Sequence, residues 1–246
     1  MADLLPPLPT GFDRVLCVVA HPDDIEYGTA AAVAVWTAAG VEVAYLLLTR
    51  GEAGIDGMPP ERTAELRVRE QTAAARAVGV RDIQFLEHPD GVLEYGLGLR
   101  RDVARAIRRF RPDAVVTSSW AVEVGWGLNQ ADHRVAGLVT ADAVRDAGNR
   151  WVFPEQLVGG IEPWSPRWLL VAGDERSTHG VDVTGEPLER GIAALESHAE
   201  YFAGIPEHPP VAGVLQAITA SYGRSMGVAN AMLFRAYDFQ PPADPG

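Results

Sequence analysis

The sequence predicts an α/β fold, a Rossmann-like three-layer sandwich with a mainly parallel central sheet, on three observations. Short, continuously apolar runs such as RVLCVVA, VEVAYLLL and DAVVTS read as strands buried on both faces. They alternate with longer segments of helical composition, the pattern of right-handed βαβ crossovers. The 246 residues contain no repeat or low-complexity block, so one domain over residues 1–246 is expected.

The first strand is RVLCVVA, residues 14–20, rich in β-branched side chains and expected at the sheet centre. GTAAAVAVWTAAG, residues 28–40, is an alanine-rich helix closed by Gly40. VEVAYLLL, residues 41–48, is the second strand. The loop TRGEAGIDGMPP then leads into a helix over 61–79, with Pro59 and Pro60 at its start and Gly79 at its end. IQFL (83–86), LGLRRDVARAIRRF (97–110) and DAVVTS (113–118) repeat the strand, helix, strand unit. A long loop reaches His133, where another helix begins, and WLLVAG (168–173) gives a fifth strand. EPLERGIAALESHAEYFAG and VAGVLQAITASYGRSMG have helical patterns; AMLFRAYDF reads as an edge strand or docked tail, and QPPADPG as a frayed end. In such sheets ligands bind beyond the carboxyl ends of the strands, so the loops starting at residues 20, 49, 87 and 119 should converge on one crevice.

A formal charge of −12 argues against a nucleic-acid partner and against a polybasic membrane anchor. Cys17 is the only cysteine, which rules out an intrachain disulfide and suits a buried thiol in a reducing compartment. The opening MADLLPPLPTGFD lacks the basic region of a signal peptide, and no apolar run reaches membrane-span length. A cytoplasmic protein is the expectation.

The chemistry begins where the first strand ends, in AHPDDIEYG. A dinucleotide site would put glycines there to approach a pyrophosphate. This chain instead puts His21, Asp23, Asp24 and Glu26, whose carboxylates would repel one. Asp24 as a helix cap is the plain alternative, but it leaves His21 and Asp23 without a role. Clustered like charges beside a buried strand end call for a counter-charge, which a dication supplies. Imidazole with carboxylate is zinc-type coordination, and a catalytic site needs three protein ligands. The candidates for the third are His88, His133, His179, His198 and His208; His133, in NQADHR, follows the fourth strand and opens a helix at the same end of the sheet. An Mg²⁺-dependent phosphoryl-transfer or receiver-like domain is the rival reading, disfavoured by two histidines where oxygen ligands are wanted.

AHPDDIEYG, LLLTRGEAG and NQADHR resemble the three signature blocks of the LmbE-like, or PIG-L, family of zinc-dependent N-deacetylases, and RVREQTAAARAVGV resembles that family's helix after the second strand. The resemblance spans roughly residues 14–140. It implies one zinc per chain on His21, Asp24 and His133, with Asp23 as general base; ferrous iron or cobalt suits the same ligands. It also implies a small N-acetylated amino-sugar conjugate as substrate, with Arg50 and Asp90 as contacts, and an oligomer, for which the sequence marks no interface. One position departs. The family often has a histidine three residues before the last ligand, thought to stabilise the oxyanion, and here Gln130 can donate a hydrogen bond but no proton. Asp132, which would orient that histidine, is left to steady a ligand from behind or to cap the helix. Gln130 therefore also permits a homologue that keeps the metal and a sugar site with altered catalysis. Trp120 and Trp126 could stack on a pyranose, although packing explains them as well. HPDG (88–91) fits a simple turn. His198 reads as a partly exposed helix histidine, and RRDVARAIRRFR as a solvated helix face.

Overall fold

The computed structural model describes residues 4–205 and 209–240. Its strands are β1 (Arg14–Val19), β2 (Glu42–Leu47), β3 (Asp82–Phe85), β4 (Ala114–Ser118), β5 (Glu123–Val124), β6 (Gly127–Leu128), β7 (Trp168–Ala172), β8 (His179–Asp182) and β9 (Ala231–Asp238). The α-helices are α1 (Asp24–Gly28), α2 (Ala30–Ala38), α3 (Pro60–Ala77), α4 (Leu97–Phe110), α5 (Ala131–Gly148), α6 (Glu186–Glu196), α7 (Ala199–Ala203) and α8 (Val211–Met226). Seven strands form one sheet in the order β3-β2-β1-β4-β7-β9-β8. The first five are parallel, and β9 and β8 add antiparallel.

Alternation along β1 shows why both faces are covered. Val15, Cys17 and Val19 pack with α2, α3, α6 and α8, whereas Leu16 and Val18 pack with α4 and α5. The α/β three-layer expectation therefore holds, and the Cys17 thiol is fully buried. The order reverses between β1 and β4, so their carboxyl ends flank the crevice where such sheets bind ligands.

Several elements differ from the sequence reading. The first helix begins earlier, at Asp24, and breaks at Thr29, whose φ of −148° leaves the helical region. The next discrepancy is at α5, which starts two residues before His133. The segment 186–204 splits into α6 and α7, with His198 buried at the junction. AMLFRAYDF is neither an edge strand nor a docked tail: β9 lies inside the sheet, and β8, which the sequence did not announce, forms the edge. Arg108, read as solvated, is buried and donates to the carbonyls of Asp146, Ala147, Asn149, Val152 and Phe153, tying α4 to the C-terminal end of α5 and the turn after it. His208 and most of QPPADPG lie outside the described residues. Among the described residues no helix is long and apolar enough to cross a membrane.

One close approach positions the site. A Cβ at Gly137 would sit 2.3 Å from the Ser118 carbonyl oxygen, so α5 presses directly on the end of β4. His133 lies one turn earlier on the same helix, above the strand ends.

Candidate metal centre

His21, Asp23 and Asp24 follow β1 directly, in a bend where the His21 N–H donates to Asp24 Oδ2 at 2.9 Å. Asp24 therefore ties back to His21 rather than capping the following helix. From the far side of the crevice, α5 delivers His133, whose Nε2 lies 3.0 Å from Asp24 Oδ1. His21 Nδ1 is 3.7 Å from Asp24 Oδ2. Donor atoms of His21, Asp24 and His133 all fall within 4.8 Å of one another.

A second group, His21, Asp90 and Asp132, is equally compact. Its carboxylates are already engaged. Asp132 accepts the N–H groups of Gly91 and Leu93 at 2.8 and 3.1 Å, and Asp90 accepts that of Ala53 at 2.8 Å. Both also face His21 Nε2, at 3.3 and 3.0 Å respectively. They therefore fix the imidazole through Nε2–H and leave Nδ1 for a metal. His133 mirrors this: its Nδ1 meets Asn129 Oδ1 at 3.2 Å, while Asn129 Nδ2 donates to the carbonyls of Ser119 and Ala121. Two imidazoles with one nitrogen tied and the other aimed at a shared carboxylate fit a tetrahedral N₂O donor set for zinc. Asp132→Asn should lower metal affinity about 10- to 100-fold with the fold retained; competition with a chromophoric chelator measures this.

Charge reinforces the geometry. Burial disfavours a charged His21, but Asp24, Asp132 and Asp90 outweigh it and push its pKa up to about 12. Burial opposes ionisation of Asp24, yet His133 and His21 hold it well below the usual carboxylate range. His133 is likewise raised by Asp24 against its burial. The metal-free centre thus carries protons at neutral pH that coordination must displace. Zinc binding should release at least one proton per site, and its affinity should fall as pH drops. Titration calorimetry in buffers of different ionisation heat checks both; binding without proton release would exclude His21 Nδ1 as a ligand.

Asp23 sits in the left-handed region at φ 83°, unusual for a residue with a side chain. Its neighbours hold it there. Gln71 Oε1 accepts its N–H at 2.9 Å, and Arg67 Nη2 reaches Oδ1 at 2.9 Å while also donating to the Pro22 carbonyl. Burial raises the Asp23 pKa, Arg67 opposes the shift and Asp24 adds to it. A carboxylate moved upward in this way holds a proton more readily than a free one, as a general acid–base group must. Arg67 and Gln71 were not singled out from the sequence. Thr63, Arg67, Glu70, Gln71 and Ala74 recur at helical spacing and all are buried on α3, but spacing alone does not separate a buried polar stripe from a solvated one.

The remaining expectations divide. Glu26 is fully buried and turned from the metal ligands toward Gln71 and His198. Asp90, expected to meet sugar hydroxyls, commits one oxygen to His21 and the other to Ala53. Arg50 is exposed, with its N–H on Glu52. Gln130 is exposed at the start of α5, one turn from His133. Trp120 stacks on Tyr237, while Trp126 is 66% exposed with one ring edge against Gly173. His88 pairs with Asp102, away from the ligands. His198 is fully buried rather than partly exposed.

The fold superposes on N,N'-diacetylchitobiose deacetylase from Pyrococcus horikoshii with a TM-score of 0.83 and 25% identity, covering 92% of this chain and 84% of that one. In sequence the chain is 30% identical over 192 residues to diacetylchitobiose deacetylase of Thermococcus kodakarensis, covering 77% and 70% of the two chains. It is 32% identical to 1D-myo-inositol 2-acetamido-2-deoxy-alpha-D-glucopyranoside deacetylase of Kineococcus radiotolerans, covering 76% and 68%. Residues 16–144, which carry every residue of the candidate centre, match the PIG-L family, described as GlcNAc-PI de-N-acetylase. The chain belongs to the PIG-L family.

Proposed function

We propose that this protein is a metal-dependent N-deacetylase that hydrolyses the acetamide of a small N-acetylated amino-sugar conjugate. The observation that carries the proposal is the convergence of His21, Asp24 and His133 with Asp23 held beside them. The substrate class follows the relatives, which are named for deacetylating acetamido sugars. One zinc per chain is the proposed cofactor, and ferrous iron and cobalt suit the same donors. Bound there, zinc would supply Lewis acidity, lowering the pKa of a water to about 7 and polarising the amide carbonyl.

The chain's own residues do the rest. Asp23 takes the proton from the attacking water as the new C–O bond forms. It returns that proton to the nitrogen as the C–N bond breaks, giving acetate and a free amine. Gln130, one turn from His133, is proposed to donate its amide N–H to the carbonyl oxygen as negative charge grows there. Arg50 is proposed to meet substrate hydroxyls or an anionic group at the mouth, and the open face of Trp126 to border it.

The test is acetate release from a panel of N-acetylglucosamine conjugates by the zinc-loaded protein. Activity should vanish with a chelator and return with zinc. A protein that holds zinc but is inert across the panel would favour the second reading, which Gln130 motivates: a metal-retaining sugar-binding homologue.

A further inference from the structure

We propose that His198 and Tyr201, at the corner between α6 and α7, are positioning residues for the Asp23 carboxylate. The inference rests on the deacetylase reading, in which Asp23 is the base. Asp23 needs outside restraint because its backbone occupies the left-handed region, and the restraint comes from two side chains of α3, Arg67 and Gln71. Each of these is in turn held from the α6–α7 corner.

The first path runs through Tyr201. Its ring lies against the Arg67 guanidinium, 3.4 Å from centroid to Cζ. Stacking on a planar guanidinium fixes the plane in which its N–H groups point, here toward Asp23 Oδ1 and the Pro22 carbonyl. The helix that presents Tyr201 has five residues and cannot persist alone. Glu70, three residues after Arg67, anchors it by accepting the N–H groups of Glu200 and Tyr201 at 2.7 and 3.3 Å.

The second path runs through His198. The ring is fully buried between two carboxylates, with Nε2 3.6 Å from Glu26 Oε2 and Nδ1 4.0 Å from Glu70 Oε2. None of those four atoms has a hydrogen-bond partner; what faces each carboxylate oxygen is the imidazole between them, at ion-pair distance. The other oxygen of Glu26 accepts Gln71 Nε2 at 3.0 Å, and Gln71 Oε1 holds the Asp23 N–H. His198 thereby links the segment carrying the base, the helix gripping it, and the corner that presents Tyr201.

The experiment compares zinc-loaded, full-length wild type with Tyr201→Ala, Tyr201→Phe, His198→Ala and His198→Gln. It reads zinc content, kcat and KM for acetate release, and amide hydrogen exchange of residues 20–28. Tyr201→Ala should keep its zinc and its KM within about twofold, lose about 10- to 100-fold in kcat, and exchange faster over residues 20–28. Tyr201→Phe should recover most of both, since it keeps the ring face against the guanidinium. His198→Gln, an amide of similar reach, should lose less than His198→Ala and stands in for it if alanine prevents folding. Wild-type kcat and exchange in Tyr201→Ala would overturn the proposal, as would a loss confined to KM or one that phenylalanine fails to recover. If wild type cleaves no acetylated sugar, the functional reading fails on its own; the exchange of residues 20–28 still decides whether this corner holds Asp23.

Discussion

His133→Ala should strip the protein of its metal, from about one zinc per chain to none after dialysis, and abolish acetate release. The expected loss of affinity exceeds the 10- to 100-fold that removal of an outer-shell partner causes, because the substitution leaves two ligands where a catalytic zinc needs three. It also removes the imidazole 3.0 Å from Asp24 Oδ1, so the remaining carboxylate is less well oriented. The fold should survive. His133 is partly exposed, and α5 keeps its contact with β4 through Gly137 and its C-terminal carbonyls on Arg108. Elemental analysis decides the matter. Zinc unchanged by the substitution would remove His133 from the centre and with it the link between the two halves of the site; failure of wild type to take up zinc would return weight to an oxygen-ligand Mg²⁺ site.

Asp23→Asn separates binding from chemistry. The variant should retain zinc and lose about 10²- to 10⁴-fold in kcat, the usual size of a general acid–base contribution. Asparagine keeps the shape and an oxygen for Arg67 but cannot take a proton from water. It also tolerates the left-handed backbone at this position. The substitution leaves the buried Arg67 guanidinium without its counter-charge, and breaking a buried pair typically costs about 3–5 kcal/mol. A lower melting temperature should therefore accompany the lost activity, with zinc content near one per chain. Full activity in this variant would remove Asp23 from proton transfer.

The parallel half of the sheet was legible because strands buried on both faces leave continuous apolar runs, as β1, β2 and β4 do. The antiparallel addition was not. β8 has four residues, one of them Gly180, and β9 carries Arg235 and Asp238 in its second half. For the centre, His21, Asp24 and His133 could be read because a histidine and acids at strand ends are costly without a ligand. The polar residues behind them could not. Arg67, Glu70, Gln71 and His198 look like solvated helix positions until α3 and the α6–α7 corner are packed on each other. Asp90 was readable as part of the loop after β3, but which atom it meets depends on the turn that folds it back onto His21.

The loop from β4 to α5 is stapled at its base, where Asn129 spans from its own end to the Ser119 and Ala121 carbonyls while holding His133. The intervening hairpin, which includes Trp126, hangs outside that staple. Its exposed side chains, Val122, Trp126 and Leu128, can be exchanged without moving the ligand, whereas Val124 is buried and seats the hairpin. The chain thus has exchangeable outer positions set in a fixed frame: under the proposed deacetylase reading, acceptance of a substrate's distal portion could be re-engineered at those exposed hairpin positions while Asn129 keeps His133 in place.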